Sequence, residues 1–240
     1  MSDRPRTPDA GRRDGALLDG EPPAGPWRTV PVTELAEQIL AGTDHPGRPL
    51  LVAVDGRGGS GKSTFSASLR AAVLGAEVVA TDDVAWHHSA FDWADLLAER
   101  VLEPVRAGRA VRWQPQAWRE RGRAGAIEVP AGCELVLVEG TGAGRRRLSG
   151  LLDAVVWVQS DAHEAERLGI ARDIAAGVNG DAAAATAFWY GWMAEERPFL
   201  AEDRPWERAA VVVAGTGLAA PGGEAVTIAA APHGSRSAAR

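Results

Sequence analysis

The sequence predicts an α/β protein with three layers, in which a parallel five-stranded sheet lies between helices. Three observations lead to this prediction. Short, wholly apolar runs alternate with helical patterns, which is typical of a parallel sheet covered on both faces. A glycine-rich segment joins the first of these runs to a helix, and carboxylates follow two of the later runs.

The predicted elements alternate along the chain. The predicted strands are Leu50–Val54, Glu77–Ala80, Leu135–Val138, Ala154–Val158 and Ala209–Val213. The predicted helices are Glu34–Ala41, Lys62–Leu74, Asp92–Leu102 and a long stretch that begins near Asp161. Pro104 is expected to interrupt the third helix, because proline has no N–H to donate and its ring clashes with the preceding turn.

The domain boundaries follow from composition. Residues 27–214 are predicted to form one folded domain. Residues 1–26 are rich in Pro, Gly, Arg and Asp and are expected to be a disordered tail, since they carry too little apolar surface to offset the entropy lost on ordering. Residues 215–240 are expected to be a flexible C-terminal tail, although the run AVTIAA is compatible with an edge strand.

Composition excludes several classes of protein. The 240 residues carry a net charge of −6, which disfavours nucleic-acid binding because duplex affinity depends on neutralising phosphates. Cys133 is the single cysteine, so neither an internal disulfide nor a cysteine-based zinc site is expected. The sequence contains no run of 18 apolar residues, so no membrane span is expected. The first residues lack the apolar core of a secretory signal. We therefore expect a cytoplasmic protein whose oligomeric state is open.

One lysine stands out. Of the 26 Lys and Arg residues, 25 are Arg, and the single lysine is Lys62. Arg and Lys differ in shape, since the guanidinium is planar and the ammonium is compact. A position that keeps Lys in such a chain is therefore predicted to need the ammonium.

Lys62 lies in a phosphate-binding motif. The segment Gly56-Arg57-Gly58-Gly59-Ser60-Gly61-Lys62-Ser63-Thr64 fits G-x-x-x-x-G-K-[ST] between a buried strand and a helix. The glycines allow successive N–H groups to turn inward on phosphate oxygens, and the helix N-terminus adds partial positive charge. Lys62 is expected to reach the β- and γ-phosphates and Ser63 to offer its hydroxyl to Mg²⁺. The motif predicts a P-loop NTPase fold that binds ATP and Mg²⁺, with preference between ATP and GTP left open.

Carboxylates follow two other predicted strands. Asp82 and Asp83 come after the second strand, and Glu139 follows the third. Because the carboxyl ends of parallel strands lie at one edge of a sheet, these groups are expected near the phosphate loop. Glu139 is a candidate partner of Mg²⁺, and either aspartate could accept the proton of an attacking hydroxyl. Asp82 and Asp83 could instead be turn or capping residues, and Glu139 could be a polar residue at a strand terminus.

Taken together, the motifs resemble the uridine kinase branch of P-loop kinases, which also contains phosphoribulokinase and pantothenate kinase. The matching segments are Gly56–Ser63, Thr81–Trp86, Phe91–Asp92, Ala107–Val111, Val138–Gly140, Glu166–Asp173 and Arg204–Val213. The resemblance implies that Asp82 lies near the acceptor hydroxyl as base or Mg²⁺ partner and that Asp92 contacts a sugar. It also implies that Arg167 and Arg172 lie on a lid helix that closes on the triphosphate, where guanidinium groups pair well with phosphoryl oxygens.

The acceptor region departs from the uridine kinase pattern. Ala85 stands near the position where uridine kinases carry a tyrosine, and the segment 111–121 has no Tyr, Asp or His. Aromatic and polar side chains nearby are candidates for contacts to the acceptor, by stacking or hydrogen bonding, or for packing alone. These candidates are Asp83, Trp86, His87, Trp113 and Trp118.

The function predicted from these residues is transfer of the γ-phosphoryl group of ATP to a hydroxyl of a small molecule, with a nucleoside as the favoured acceptor. A P-loop ATPase or nucleotide-binding regulator without a phosphate acceptor is the alternative. A binding module that has lost catalysis is a third interpretation, which the presence of Lys62, Ser63 and Asp82 disfavours.

Overall fold

A computed structural model describes residues 16–42, 47–177, 179–218 and 223–231. The strands are β1 (Arg28–Pro31), β2 (Leu50–Asp55), β3 (Ala76–Ala80), β4 (Val111–Trp113), β5 (Ile127–Val129), β6 (Leu135–Glu139), β7 (Ala154–Gln159), β8 (Val211–Ala214) and β9 (Ala225–Ala230). The helices are α1 (Val32–Ala41), α2 (Lys62–Ala72), α3 (Thr81–Ala85), α4 (Ala94–Leu97), α5 (Glu103–Arg106), α6 (Gln116–Glu120), α7 (Ala162–Ala176) and α8 (Ala182–Asp203).

In the described part of the chain, seven strands form the main sheet in the order β1-β9-β8-β7-β2-β6-β3. The five predicted strands are its parallel core, with β2 pairing both β6 and β7. The prediction of a wholly parallel five-stranded sheet is therefore corrected. Strand β9 turns back antiparallel to β8, with Val211 opposite Ala230, and β1 pairs antiparallel with β9. Pairing on both sides satisfies the backbone of β9, so this part of segment 215–240 belongs to the sheet and is not a flexible tail.

Alternate residues of the central strand β2 feed two separate cores, as the pleat of a strand requires. Leu50, Val52 and Val54 face a core that contains Phe65 and Leu69 of α2. Leu51 and Ala53 face the opposite core, which is formed with α4, α5 and the β6 strand. Both faces of the sheet are therefore covered, and the three-layer architecture predicted from the apolar runs is confirmed.

The helix predicted from Asp92 to Leu102 extends further than expected. A π-helical turn, Ala98–Leu102, joins α4 to α5, and the Glu103 N–H donates to the Ala98 carbonyl. This wider turn directly precedes Pro104, which lies in the first turn of α5 and does not interrupt the helix. The strands β4 and β5, which the sequence pattern did not reveal, form a separate antiparallel pair beyond this helix.

The segment before β1 also packs on the domain. Glu21 is 7% exposed, and its carboxylate accepts hydrogen bonds from Trp157 Nε1 at 2.6 Å and Gln159 Nε2 at 2.9 Å. The expectation of disorder for residues 1–26 is corrected for the described part, residues 16–26, because a buried carboxylate with two donors fixes the segment on β7. Residues 1–15 lie outside the described residues.

Candidate active site

The phosphate loop connects β2 to α2 as the motif predicts. Gly61 has φ 96° directly before Lys62 begins α2, and Gly59 has φ 74°. A Cβ atom at Gly59 would lie 2.3 Å from the Ala165 carbonyl oxygen of α7, so this position needs glycine for space as well as for backbone conformation. The loop therefore has the tight backbone that directs N–H groups toward phosphate oxygens.

Lys62 lies inside this loop. Its side chain is buried, and Nζ donates a hydrogen bond of 2.7 Å to the Arg57 carbonyl and one of 3.4 Å to Thr141 Oγ1. The Arg57 side chain, by contrast, is 3% exposed and points to α8, where Nη2 lies 3.8 Å from Met193 Sδ. Arg57 thus contributes its backbone to the loop, and its guanidinium lies outside the loop.

Asp55, the last residue of β2, ties the loop to the segment that follows β6. Its buried carboxylate accepts hydrogen bonds from the N–H groups of Gly56, Gly142 and Gly144 at 2.7–2.8 Å. Burial raises the pKa of Asp55 to about 6, and the three hydrogen bonds and the charge of Lys62 oppose this rise. The sequence analysis did not identify this residue, although an aspartate just before the first glycine of the motif was visible.

The carboxylates predicted from strand ends meet beside the phosphate loop. Burial raises the pKa of Glu139, and the negative charge of Asp82 raises it further. The charge of Lys62, a hydrogen bond from Ser63 and the charge of Arg172 lower the same pKa. Glu139 therefore interacts with residues that follow β2 and β3 and with one residue of helix α7.

The structure distinguishes the two neighbouring aspartates. Asp82 is exposed at the start of α3 and influences Glu139 electrostatically. The Asp83 carboxylate instead forms a 2.5 Å ion pair with Arg123 Nη2. Asp82 is thus the aspartate whose charge acts on Glu139, whereas the charge of Asp83 is matched by Arg123.

Most of the aromatic candidates pack on this ion pair or in the core. Trp118 is 4% exposed, its indole N–H donates to the Asp83 carbonyl, and the Arg123 guanidinium lies 3.5 Å from its ring centroid. Because its face is covered, Trp118 does not fit the expected stacking on a base. Trp113 packs against the same core, and Trp86 is half-buried in edge contact with the exposed His87, 4.3 Å between centroids.

The segment around Asp92 lies next to a buried arginine that the sequence analysis missed. Asp92 is exposed, and Arg145 Nη1 donates to the carbonyl of the adjacent Phe91. The Arg145 guanidinium lies 3.9 Å from the Trp93 ring centroid, and burial lowers the pKa of Arg145 to about 10. No local motif marks Arg145, because it is one arginine in a run of three.

The two lid arginines differ in their surroundings. Arg167 is exposed and forms a 2.6 Å ion pair with Glu164 on its own helix. Arg172 pairs with Asp173 at 2.7 Å while its charge acts on Glu139. In this conformation, therefore, the charge of Arg172 contributes to the electrostatics of Glu139, and Arg167 is engaged on the helix surface.

A cavity of about 460 Å³ opens beside the phosphate loop. Its lining includes Gly61, Thr64, Ser68, Gly215, Glu224 and Val226. One wall belongs to the loop and to α2, and the other belongs to the segment that leads from β8 into β9. The C-terminal strand, which the sequence analysis left in a tail, therefore helps to shape the space next to the motif.

No helix among the described residues has the length and apolarity needed to cross a membrane. No cluster of three or more His, Cys, Asp and Glu side chains within those ranges has metal-site geometry. The candidate metal partners Ser63 and Glu139 are in contact, and a hydroxyl and a carboxylate are the hard oxygen ligands that Mg²⁺ prefers when phosphate oxygens complete its shell.

Comparison with known proteins supports the fold. No protein family model matches the sequence, and no curated protein is similar to it. Among solved structures, a protein of Silicibacter sp. TM1040 provisionally named a fructose transport system kinase overlaps with a TM-score of 0.54 at 21% identity, over 72% of this chain and 95% of that one. A possible uridine kinase from Bacillus stearothermophilus overlaps with a TM-score of 0.44 at 18% identity, over 75% and 96%. The chain has the α/β fold of P-loop kinases, as its motifs predicted.

Proposed function

We propose that this protein is an ATP- and Mg²⁺-dependent kinase that phosphorylates a hydroxyl of a small molecule, with a nucleoside-like acceptor favoured. The observation that carries the proposal is that Glu139 interacts with Lys62 and Ser63 of α2, with Asp82 of α3 and with Arg172 of α7. A loop that only binds a nucleotide would not require a second carboxylate near Glu139, such as Asp82 after β3.

The roles of the residues follow from their chemistry. Lys62, the amides of the phosphate loop and the N-terminus of α2 hold the triphosphate. The Ser63 hydroxyl and Glu139 would hold Mg²⁺, which would neutralise charge on the phosphoryl group.

Asp82 acts on the acceptor. Its carboxylate is exposed, and no ion pair among the described residues holds it as Arg123 holds Asp83, so it can accept the proton of the attacking hydroxyl. Arg172, on the lid helix, adds positive charge where negative charge is spread over the transferred group. The cavity between the loop and β9 is suited to the nucleoside part of ATP, because it opens beside Gly61 and Thr64 and is bounded by polar side chains and apolar strand residues.

The proposal is tested by measuring release of ADP across a panel of nucleosides, sugars and pantothenate. An acceptor that raises ADP release well above the rate without acceptor, with the phosphorylated product identified by mass spectrometry, supports a kinase. Release that no acceptor raises would support an ATPase or a nucleotide-binding regulator instead.

A further inference from the structure

Helices α7 and α8 lie directly on the outer side of the phosphate loop. A Cβ atom at Gly58 would lie 3.2 Å from Met193 Cε and 3.4 Å from Glu196 Oε1, both on α8. A Cβ atom at Gly59 would collide with the Ala165 carbonyl of α7. The loop is therefore in direct contact with helices α7 and α8, which together form the lid hairpin of the proposed function.

Glu196 makes the central contact of this interface. It is 0% exposed, and Oε1 accepts a hydrogen bond of 2.5 Å from the Gly58 N–H. The Thr141 hydroxyl and the Trp192 indole N–H lie 3.2 Å and 3.4 Å from the same oxygen. The Gly58 amide belongs to the loop whose N–H groups bind phosphate oxygens in the proposed function, so a carboxylate of the protein here holds a donor suited to a phosphate.

Several polar atoms next to this contact have no hydrogen-bond partner among the residues that the structure describes. They are Glu196 Oε2 and, on Arg57, Nε and Nη1. A buried carboxylate oxygen and two buried guanidinium N–H groups are costly when left unpaired. The charge of Glu196 is the strongest electrostatic influence on Arg57 and opposes the effect of burial, which lowers the pKa of Arg57. A Glu196 carboxylate that turned from Gly58 toward Arg57 would pair with one of these guanidinium nitrogens.

We propose that Glu196 is a specificity-determining residue that makes the lid hairpin respond to a triphosphate and not to a diphosphate. Without a γ-phosphate, the Glu196 carboxylate accepts the hydrogen bond of the Gly58 amide. The γ-phosphate of a bound triphosphate accepts that hydrogen bond instead and repels the carboxylate, which then pairs with Arg57. Because Glu196 lies on α8, this exchange shifts the hairpin that carries Arg172. The inference rests on the proposed function, since it assumes that the loop binds a nucleoside triphosphate.

The test compares two nucleotides by calorimetry, each with Mg²⁺: ADP and the β,γ-imido analogue of ATP. Glu196→Gln keeps the shape of the side chain and removes its charge. It should therefore lower the Kd of the analogue about tenfold, the order of one charge-assisted hydrogen bond, and change the Kd of ADP by less than about twofold. Glu195→Gln is the matched control, because Glu195 is an exposed carboxylate on the same helix, and it should change neither affinity.

A second pair of variants separates charge exchange from a structural role. In the wild-type background, Arg57→Met should weaken binding of the analogue, because Glu196 loses its alternative partner. In the Glu196→Gln background, the same substitution should weaken binding by a smaller factor. Glu196→Asp keeps the charge, but its side chain is too short to accept the hydrogen bond of the Gly58 amide. This variant should therefore also strengthen binding of the analogue relative to binding of ADP.

Two results would overturn the inference. Equal changes in both nucleotide affinities for Glu196→Gln would mean that Glu196 only supports the loop, while leaving the proposed function intact. Failure of the wild-type protein to bind either nucleotide would remove the proposed function together with the inference.

Discussion

The carboxylate of Asp83 lies 2.5 Å from the guanidinium of Arg123, and that guanidinium stacks on Trp118 at 3.5 Å. This contact fixes the α3 helix to the loop between α6 and β5. It also leaves Asp82, the adjacent carboxylate, as the one whose charge acts on Glu139. The two aspartates, which the sequence could not distinguish, therefore have different expected effects when changed.

Asp82→Asn should lower the rate of phosphoryl transfer by a factor on the order of 10²–10⁴, the usual effect of removing a positioned base. ATP affinity should stay nearly constant, because the triphosphate contacts come from the loop and Lys62. Asp83→Asn should change the rate much less and should lower the melting temperature, since it leaves Arg123 unpaired. Normal rates in both variants would show that neither aspartate acts on the acceptor.

Lys62→Arg should abolish transfer although the charge is kept. The Lys62 ammonium fits inside a loop where it donates to the Arg57 carbonyl at 2.7 Å, and a planar guanidinium is too large for that space. The measurement is the kinase rate at saturating ATP, with circular dichroism to confirm folding. Arg70→Lys is the control on the same helix, because Arg70 is exposed and lies outside the site. Near-normal transfer by Lys62→Arg would contradict this account of the single lysine.

Glu21→Ala should destabilise the protein by about 1–3 kcal/mol, because it leaves the buried donors of Trp157 and Gln159 without a partner. Deletion of residues 1–25 should have an effect at least as large. Urea unfolding measures both, with Asp19→Ala as the control, since Asp19 is exposed in the same segment. Unchanged stability after the deletion would mean that this segment does not hold the domain.

Asp55 should give the stability a distinct pH dependence. Its pKa is raised from 3.8 to about 6 in the folded state, so between these values the folded protein binds more protons than the unfolded chain. Its contribution is therefore present in full below about pH 4 and is lost as the pH rises through about 6, a change of about 3 kcal/mol at most. Urea unfolding of the wild type and of Asp55→Asn from pH 4 to pH 7 measures this. The difference in unfolding free energy between the two proteins should change with pH in that range. A difference that stays constant from pH 4 to pH 7 would contradict the raised pKa of Asp55.

The phosphate loop and the five parallel strands were predictable from sequence alone. The loop is encoded in contiguous residues, Gly56–Thr64, whose backbone freedom and side-chain chemistry are local properties. The short apolar runs indicate strands buried on both faces, and parallel strands bring their carboxyl ends to one edge. The approach of Glu139 and Asp82 to Lys62 follows from these rules without any knowledge of distant contacts.

The tertiary structure decided which distant residues complete the site. Glu196 reaches Gly58 across 138 positions, and Arg123 reaches Asp83 across 40, so no local pattern could assign either partner. Strand β9 and the Glu21 segment were assigned to tails because each is short and lies in polar, glycine-rich sequence. They are ordered because an open edge of the sheet and the buried donors of β7 offer hydrogen bonds that only the assembled domain presents. Propensity acts along the chain, whereas the pairing of buried polar groups depends on which elements the fold brings together.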